Sequence, residues 1–153
     1  MDDSTDEEVY RKHAAELFRY ATFLAGPSGA TDLVADAVLA AFQSPGWALV
    51  RNRRAYLFRA VLNAARQQHR ETQRRQAREV LAARARHLDN PPAVRIEVLE
   101  AVRSLSVRQR SIVFFAYWYD LSPTEIARHL GVSTRTVQRE IHRAHRLMEA
   151  NLR

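Results

Sequence analysis

The sequence has no cysteine, one lysine, four glycines and five prolines. The lack of cysteine excludes a disulfide framework, thiol catalysis and a cysteine-ligated zinc site. So few glycines and prolines argue against an all-β protein, which would need many turns. No apolar run approaches the ~20 residues of a membrane helix, and the acidic first residues lack the apolar core of a signal peptide. We therefore expect a soluble, mostly helical, cytoplasmic protein without membrane contact.

The chain is strongly basic, and nearly all of its positive charge is arginine. Its 153 residues include 24 Lys and Arg against 17 Asp and Glu, which gives a formal charge of +7. Lys12 is the only lysine, and five of the 17 acidic residues lie within the first eight positions. Residues 51–86 hold eleven arginines against two acids. Because a solvated helix surface usually mixes both signs, this one-signed charge predicts contact with a polyanion.

The spacing of apolar residues predicts two helical subdomains. Apolar positions recur every three or four residues up to about residue 25, from 31 to 43, and from 53 to between 70 and 75. The apolar face is then lost until the Asp89-Asn90-Pro91-Pro92 break. We predict an all-α protein with a first subdomain at 5–75, a partly helical linker at 76–92 and a second subdomain at 93–153.

Residues 121–148 have the pattern of a helix-turn-helix. Ser122 and Glu125 form a capping box with Pro123 at the first helical position. Gly131 suits a left-handed helix end, and Ser133 suits the N-cap of the next helix. The second helix carries on one face long polar side chains of the kind that read base edges in the major groove. The candidate DNA-binding residues are Ser133, Arg135, Thr136, Gln138, Arg139, His142, Arg143 and Arg146.

No pattern in the sequence predicts catalysis. His142 and His145 are three residues apart, but no suitable third ligand lies near them, so we expect no metal site. The chain lacks paired catalytic carboxylates, a nucleophile with its base and a phosphate-cradling glycine loop. We therefore expect a protein that is not an enzyme, with no cofactor and no small-molecule substrate.

Three segments resemble those of bacterial extracytoplasmic-function (ECF) sigma factors, the smallest sigma-70-family specificity subunits of RNA polymerase. Residues 32–36 read DLVAD, similar to the polymerase-binding motif of family region 2. Residues 54–70, RAYLFRAVLNAARQQHR, resemble the region that recognises and opens the −10 promoter element. Residues 121–148 resemble region 4, which reads the −35 element. Motifs of both region 2 and region 4, in this order, indicate the family more specifically than a helix-turn-helix alone.

This resemblance implies the function and the partners. The chain would bind core RNA polymerase through Asp32, Leu33 and Asp36 and direct promoter recognition and transcription initiation. Promoter DNA is the second implied partner, and an anti-sigma factor is a further candidate that no residue identifies. One face of the third helix would recognise and melt the −10 element. Its residues are Tyr56, Arg59, Asn63, Arg66, Gln67 and Arg70.

Alternatives remain open at this level. A stand-alone helix-turn-helix regulator would bind an operator as a homodimer, without docking on polymerase. A recombinase or nuclease with a helix-turn-helix tail would need a catalytic cluster, and the sequence offers none. Tyr56 suits half-burial in the core as well as it suits stacking on an unpaired base.

Overall fold

A computed structural model describes residues 4–82 and 101–151, and in these ranges it contains helices and no strand. The predicted all-α fold is confirmed. The helices are α1 (Asp6–Ala25), α2 (Ala30–Gln43), a 3₁₀ turn (Trp47–Leu49), α3 (Arg53–Ala82), α4 (Val107–Trp118), α5 (Pro123–Leu130) and α6 (Thr134–Asn151).

Local capping explains where most of these helices begin. In the capping box of α1, the amide of Glu8 donates to Thr5 Oγ1 over 3.3 Å and the Thr5 amide donates to Glu8 Oε2 over 2.8 Å. Reciprocal boxes also open α4 and α5, the latter at the predicted Ser122. These bonds satisfy amide groups that the first turn of a helix leaves unpaired.

Helix α3 is longer than the sequence pattern predicts. It continues to Ala82, into the segment predicted as a partly helical linker. The remaining linker positions and the predicted start of the second subdomain, residues 83–100, lie outside the described residues. The subdomain boundaries therefore stay a prediction.

The helix-turn-helix forms as its sequence predicts. Gly131 ends α5 in the left-handed conformation, with φ 69°, a region that residues with a Cβ rarely adopt. Ser133 Oγ accepts a hydrogen bond of 3.1 Å from the Thr136 amide and so caps α6. The left-handed Gly131 and the Ser133 cap thus determine how α6 follows α5.

The two predicted halves share one core in this arrangement. Phe58 of α3 is fully buried, with ring centroids 5.0 Å from Tyr20 of α1 and 5.4 Å from Phe115 of α4. The Tyr20 hydroxyl also hydrogen-bonds the buried Ser111 hydroxyl of α4. Each buried aromatic ring contributes about 1.5–3 kcal/mol. Helices α1 and α3 therefore pack against the helix-turn-helix half.

Candidate nucleic-acid and polymerase interfaces

Helix α6 presents a basic surface opposite its buried face. Val137 and Ala144 are fully buried and hold the helix against the core. Of the predicted DNA-binding residues, Ser133, Arg135, Gln138, Arg139, His142, Arg143 and Arg146 are exposed, and Thr136 is partly buried. The structure thus brings these side chains together along one exposed side of the helix.

Two members of this set are engaged in capping. The Ser133 and Thr136 hydroxyls lie 2.8 Å apart, and Ser133 also accepts the Thr136 amide. Further along, the Arg146 guanidinium lies 3.1 and 3.3 Å from Nε2 of His142. Within the described residues, Arg135, Gln138 and Arg139 near the helix start have no hydrogen-bond partner, although Arg139 lies 3.8 Å from Glu140. These three long side chains are the best placed to reach base edges.

A buried carboxylate that the sequence analysis did not single out anchors α6. Glu140 is 8% exposed and accepts a 3.0 Å hydrogen bond from Gln109 Nε2 of α4. Arg143 donates to its other oxygen over 3.4 Å. These hydrogen bonds replace the water contacts that the carboxylate loses on burial. Glu140 therefore fixes the orientation of the basic surface relative to α4.

The predicted −10 face runs along α3. Asn63, Gln67 and Arg70 are exposed, and Arg66 is partly buried. Tyr56 is also partly buried: its hydroxyl donates to Ser44 Oγ over 3.1 Å, and its ring stands edge-on to Trp47 at 5.5 Å. Trp47 thus packs edge-on against the Tyr56 ring, and Tyr56 remains partly exposed.

Arg59, the remaining predicted −10 residue, is held by the helix-turn-helix. Its Nε donates to the carbonyl of His129 over 2.8 Å and its Nη2 to that of Arg128 over 3.0 Å. Both carbonyls belong to the last turn of α5, which lacks intrahelical partners for them. In this arrangement Arg59 caps α5 through two of its donors, although the residue as a whole remains exposed.

The predicted polymerase-binding segment lies on α2. Asp32 and Asp36 are exposed, but Leu33 is 3% exposed and packs in the core. The Leu33 side chain therefore positions α2, while the carboxylates can meet a partner. Leu39, which sequence analysis missed, is 57% exposed. The sequence could have indicated Leu39, because it is an apolar residue on the polar side of the α2 helical wheel. We call Asp32, Asp36 and Leu39 the docking face.

Charged and titratable groups line the junction between α3 and α5. Arg54 of α3 makes two 3.0 Å bonds to Glu16 of α1. Burial raises the pKa of Glu16, but the Arg54 guanidinium outweighs it and the net pKa is lowered. The His129 ring is enclosed by Phe58 at 5.4 Å and Phe115 at 4.6 Å. Burial, together with the charges of Arg54 and Arg59, lowers the pKa of His129 to about 4.

Acidification is therefore expected to destabilise the free protein. Between pH 6.5 and about 4 the unfolded chain binds a proton at His129 that the folded chain does not, so stability falls as the pH is lowered through this window. Because the ring is partly solvated, we expect a loss of about 1–2 kcal/mol. Urea unfolding at several pH values measures it, and His129→Leu should remove this part of the pH dependence. An identical pH dependence in that variant would contradict the assignment.

The described residues contain neither a metal-binding cluster nor a membrane-spanning helix. No group of three or more His, Asp or Glu within them could hold a metal ion. Nor is any helix of the described segments long and apolar enough to cross a membrane.

Comparison with known proteins shows which families this chain is similar to. Residues 95–148, which contain α4, α5 and most of α6, match the family model "Sigma-70, region 4". The chain is 29% identical over 156 residues to the ECF RNA polymerase sigma factor SigL of Mycobacterium tuberculosis, covering 94% of this chain and 86% of SigL. It is 28% identical over 144 residues to the RNA polymerase sigma-E factor of Streptomyces antibioticus, covering 90% and 79%.

The fold is shared with a solved structure. The sigma factor RpoE, crystallised with the anti-sigma factor NepR from Bartonella quintana, superposes with a TM-score of 0.64 at 20% identity, covering 95% of each chain. The helix-turn-helix half is similar to region 4 of the sigma-70 family. Over most of its length the chain is similar to ECF sigma factors, which confirms the resemblance seen in the sequence.

Proposed function

We propose that this protein binds core RNA polymerase and directs promoter recognition and transcription initiation. The observation that carries the proposal is the match to ECF sigma factors over 94% of the chain, combined with an exposed basic face on α6. The protein acts by binding and not by catalysis, and it works in the cytoplasm, where its polymerase and promoter are found.

Each interface has its own role in this proposal. The docking face of α2 binds the polymerase, the exposed face of α3 recognises and melts the −10 element, and α6 reads the −35 element. Residues 5–75 and 93–153 form the two functional subdomains, joined by residues 76–92. An anti-sigma factor is a further proposed partner, supported by the fold shared with RpoE, which was crystallised with NepR.

Promoter binding requires the two halves to separate. The −10 and −35 elements are separate sites along the duplex, so α3 and α6 must reach different positions on the DNA. In the free chain, however, Arg59 on the −10 face bonds directly to the backbone of α5. We infer that docking on polymerase breaks these bonds and releases Arg59 for the −10 element.

The direct test is co-elution of the purified full chain with core RNA polymerase on gel filtration. We expect one sigma chain per polymerase and no homodimer in the absence of polymerase. A stand-alone regulator would instead elute as a dimer, fail to bind polymerase and bind an operator tightly by itself. That result would replace the proposal with the regulator hypothesis.

Tyr56→Ala should reduce open-complex formation while closed complexes still form. An aromatic surface for an unpaired base is worth about 1–3 kcal/mol. Permanganate footprinting of the melted region measures the loss. Tyr56→Phe is the matched control, because it keeps the ring and loses only the bond to Ser44. A pre-melted template should rescue Tyr56→Ala; if it does not, the defect lies in folding or docking and the stacking role is wrong.

Replacing either of two arginines of α6 should affect DNA binding in different ways. Arg139, near the helix start, is expected to contact a base edge, so Arg139→Ala should cost about 1–3 kcal/mol and relax discrimination at one base position. Arg146, two turns further on, should contact a phosphate. Arg146→Ala should therefore weaken binding to all promoter sequences alike and reduce the slope of log binding constant against log salt concentration by roughly 1. Holoenzyme binding to cognate and −35-substituted promoters across a salt series measures both. Intact base preference in Arg139→Ala would show that another residue faces the groove.

A further inference from the structure

A cationic cavity lies between the two halves, where α3 meets the start of α4. It has a volume of about 330 Å³ and is lined by Arg66, His69 and Arg70 of α3 and by Arg108 of α4. This size is at the lower end of the range for small-ligand pockets. Arg66 and Arg70 also belong to the −10 face of α3, so the cavity borders that face, and it is separate from the docking face of α2.

The three arginines of this cavity are not neutralised by acids. Among the described residues, none of Arg66, Arg70 and Arg108 has a carboxylate within ion-pair distance. Burial lowers the pKa of Arg66, and the positive charges of Arg108 and Arg70 lower it further. The fold therefore holds three like charges close enough to repel one another, a cost that a bound anion would offset.

The one carboxylate of the cavity is already committed elsewhere. Glu140 lines the wall, but its oxygens accept from Gln109 and Arg143, and Arg139 lies 3.8 Å away. It is therefore not available to neutralise the arginines of α3. The first turn of α4 also contains no acidic residue, so the positive end of its dipole adds to the field.

We propose that this cavity is a binding site for a phosphate group, held by Arg66 and Arg70 from α3 and by Arg108 from α4. Guanidinium groups bind phosphate oxygens through paired N–H donors, which suits a phosphate or pyrophosphate ligand. Because the donors come from both halves, the bound phosphate holds α3 against α4. It therefore favours the packed arrangement and opposes the separation that promoter binding requires.

The test uses the free full-length chain, with inorganic phosphate and sodium pyrophosphate titrated against sodium chloride at matched ionic strength. Pyrophosphate is expected to raise the unfolding temperature beyond the salt control. Arg108→Ala should weaken its apparent affinity about tenfold, the effect of losing one charge-assisted hydrogen bond. Arg103→Ala is the matched control, since it removes the same charge outside this cavity. Circular dichroism verifies that both variants are folded.

A second arm distinguishes the source of the phosphate. If DNA supplies it, Arg108→Ala weakens binding of a single-stranded oligonucleotide as well as of pyrophosphate; if a free anion supplies it, only pyrophosphate binding is weakened. Both results support the site. No stabilisation by pyrophosphate at matched ionic strength, or equal weakening by Arg108→Ala and Arg103→Ala, would overturn it. Since no polymerase is present, failure here leaves the proposed sigma function intact.

Discussion

Phe58→Ala is expected to lower the free energy of unfolding by about 3–5 kcal/mol, the usual effect of removing a fully buried phenylalanine ring. The loss should be felt in both halves at once. Phe58 lies on α3, but its ring contacts Tyr20 of α1, Phe115 of α4 and His129 of α5. Urea unfolding, followed by circular dichroism and tryptophan fluorescence, measures the effect.

A ring confined to the first half provides the control. Phe42 is only partly buried and packs on Trp47 at 5.0 Å, so Phe42→Ala should cost clearly less. We expect one transition for the wild-type chain by both probes, because the halves share a core. Two separate transitions, of which Phe58→Ala shifts only one, would contradict the packed arrangement of the free protein.

Reversing the charge of the docking face should weaken polymerase binding strongly. Asp32 and Asp36 are exposed on α2, and loss of a buried ion pair at an interface costs about 2–5 kcal/mol. The double variant Asp32→Arg, Asp36→Arg should therefore bind core polymerase at least roughly 30-fold more weakly. Surface binding measurements with immobilised core polymerase give the affinity. Leu39→Ser should add a further loss without a change of charge.

The matched control reverses two exposed acids elsewhere. The double variant Glu7→Arg, Glu71→Arg makes the same change in net charge on α1 and the middle of α3. It should bind polymerase nearly as well as wild type. If the Asp32 and Asp36 variant binds equally well, the polymerase contacts another surface and the role assigned to α2 is wrong.

The local parts of this structure could be predicted from the sequence because their signals are local. Ser122 with Glu125, then Gly131 and Ser133, each determine a cap or a turn within four residues, and all form as predicted. Helix α3 extends beyond the predicted end at 70–75, because the sequence beyond residue 75 has no regular apolar face that would indicate a helix.

The interfaces were harder to predict because they depend on tertiary packing. The polymerase motif includes both Asp32 and Leu33, but only the fold shows that Leu33 is buried and that Leu39 is exposed. The bonds from Arg59 to the carbonyls of α5 join residues 69 and 70 positions apart. Nothing in the sequence near Arg59 indicates such a contact. Nor does the sequence near Arg108 indicate that it lies beside Arg66 and Arg70 of α3 in the packed structure.

The central claim, that this chain is a promoter-recognising subunit of RNA polymerase, is tested most directly by transcription in vitro. Core polymerase is incubated with genomic DNA fragments, with and without the purified chain, and the transcript starts are mapped. The account predicts discrete starts that require the chain and that disappear with the Asp32→Arg, Asp36→Arg variant. Transcription that is unchanged by adding the chain, while the chain alone binds DNA as a dimer, would contradict it.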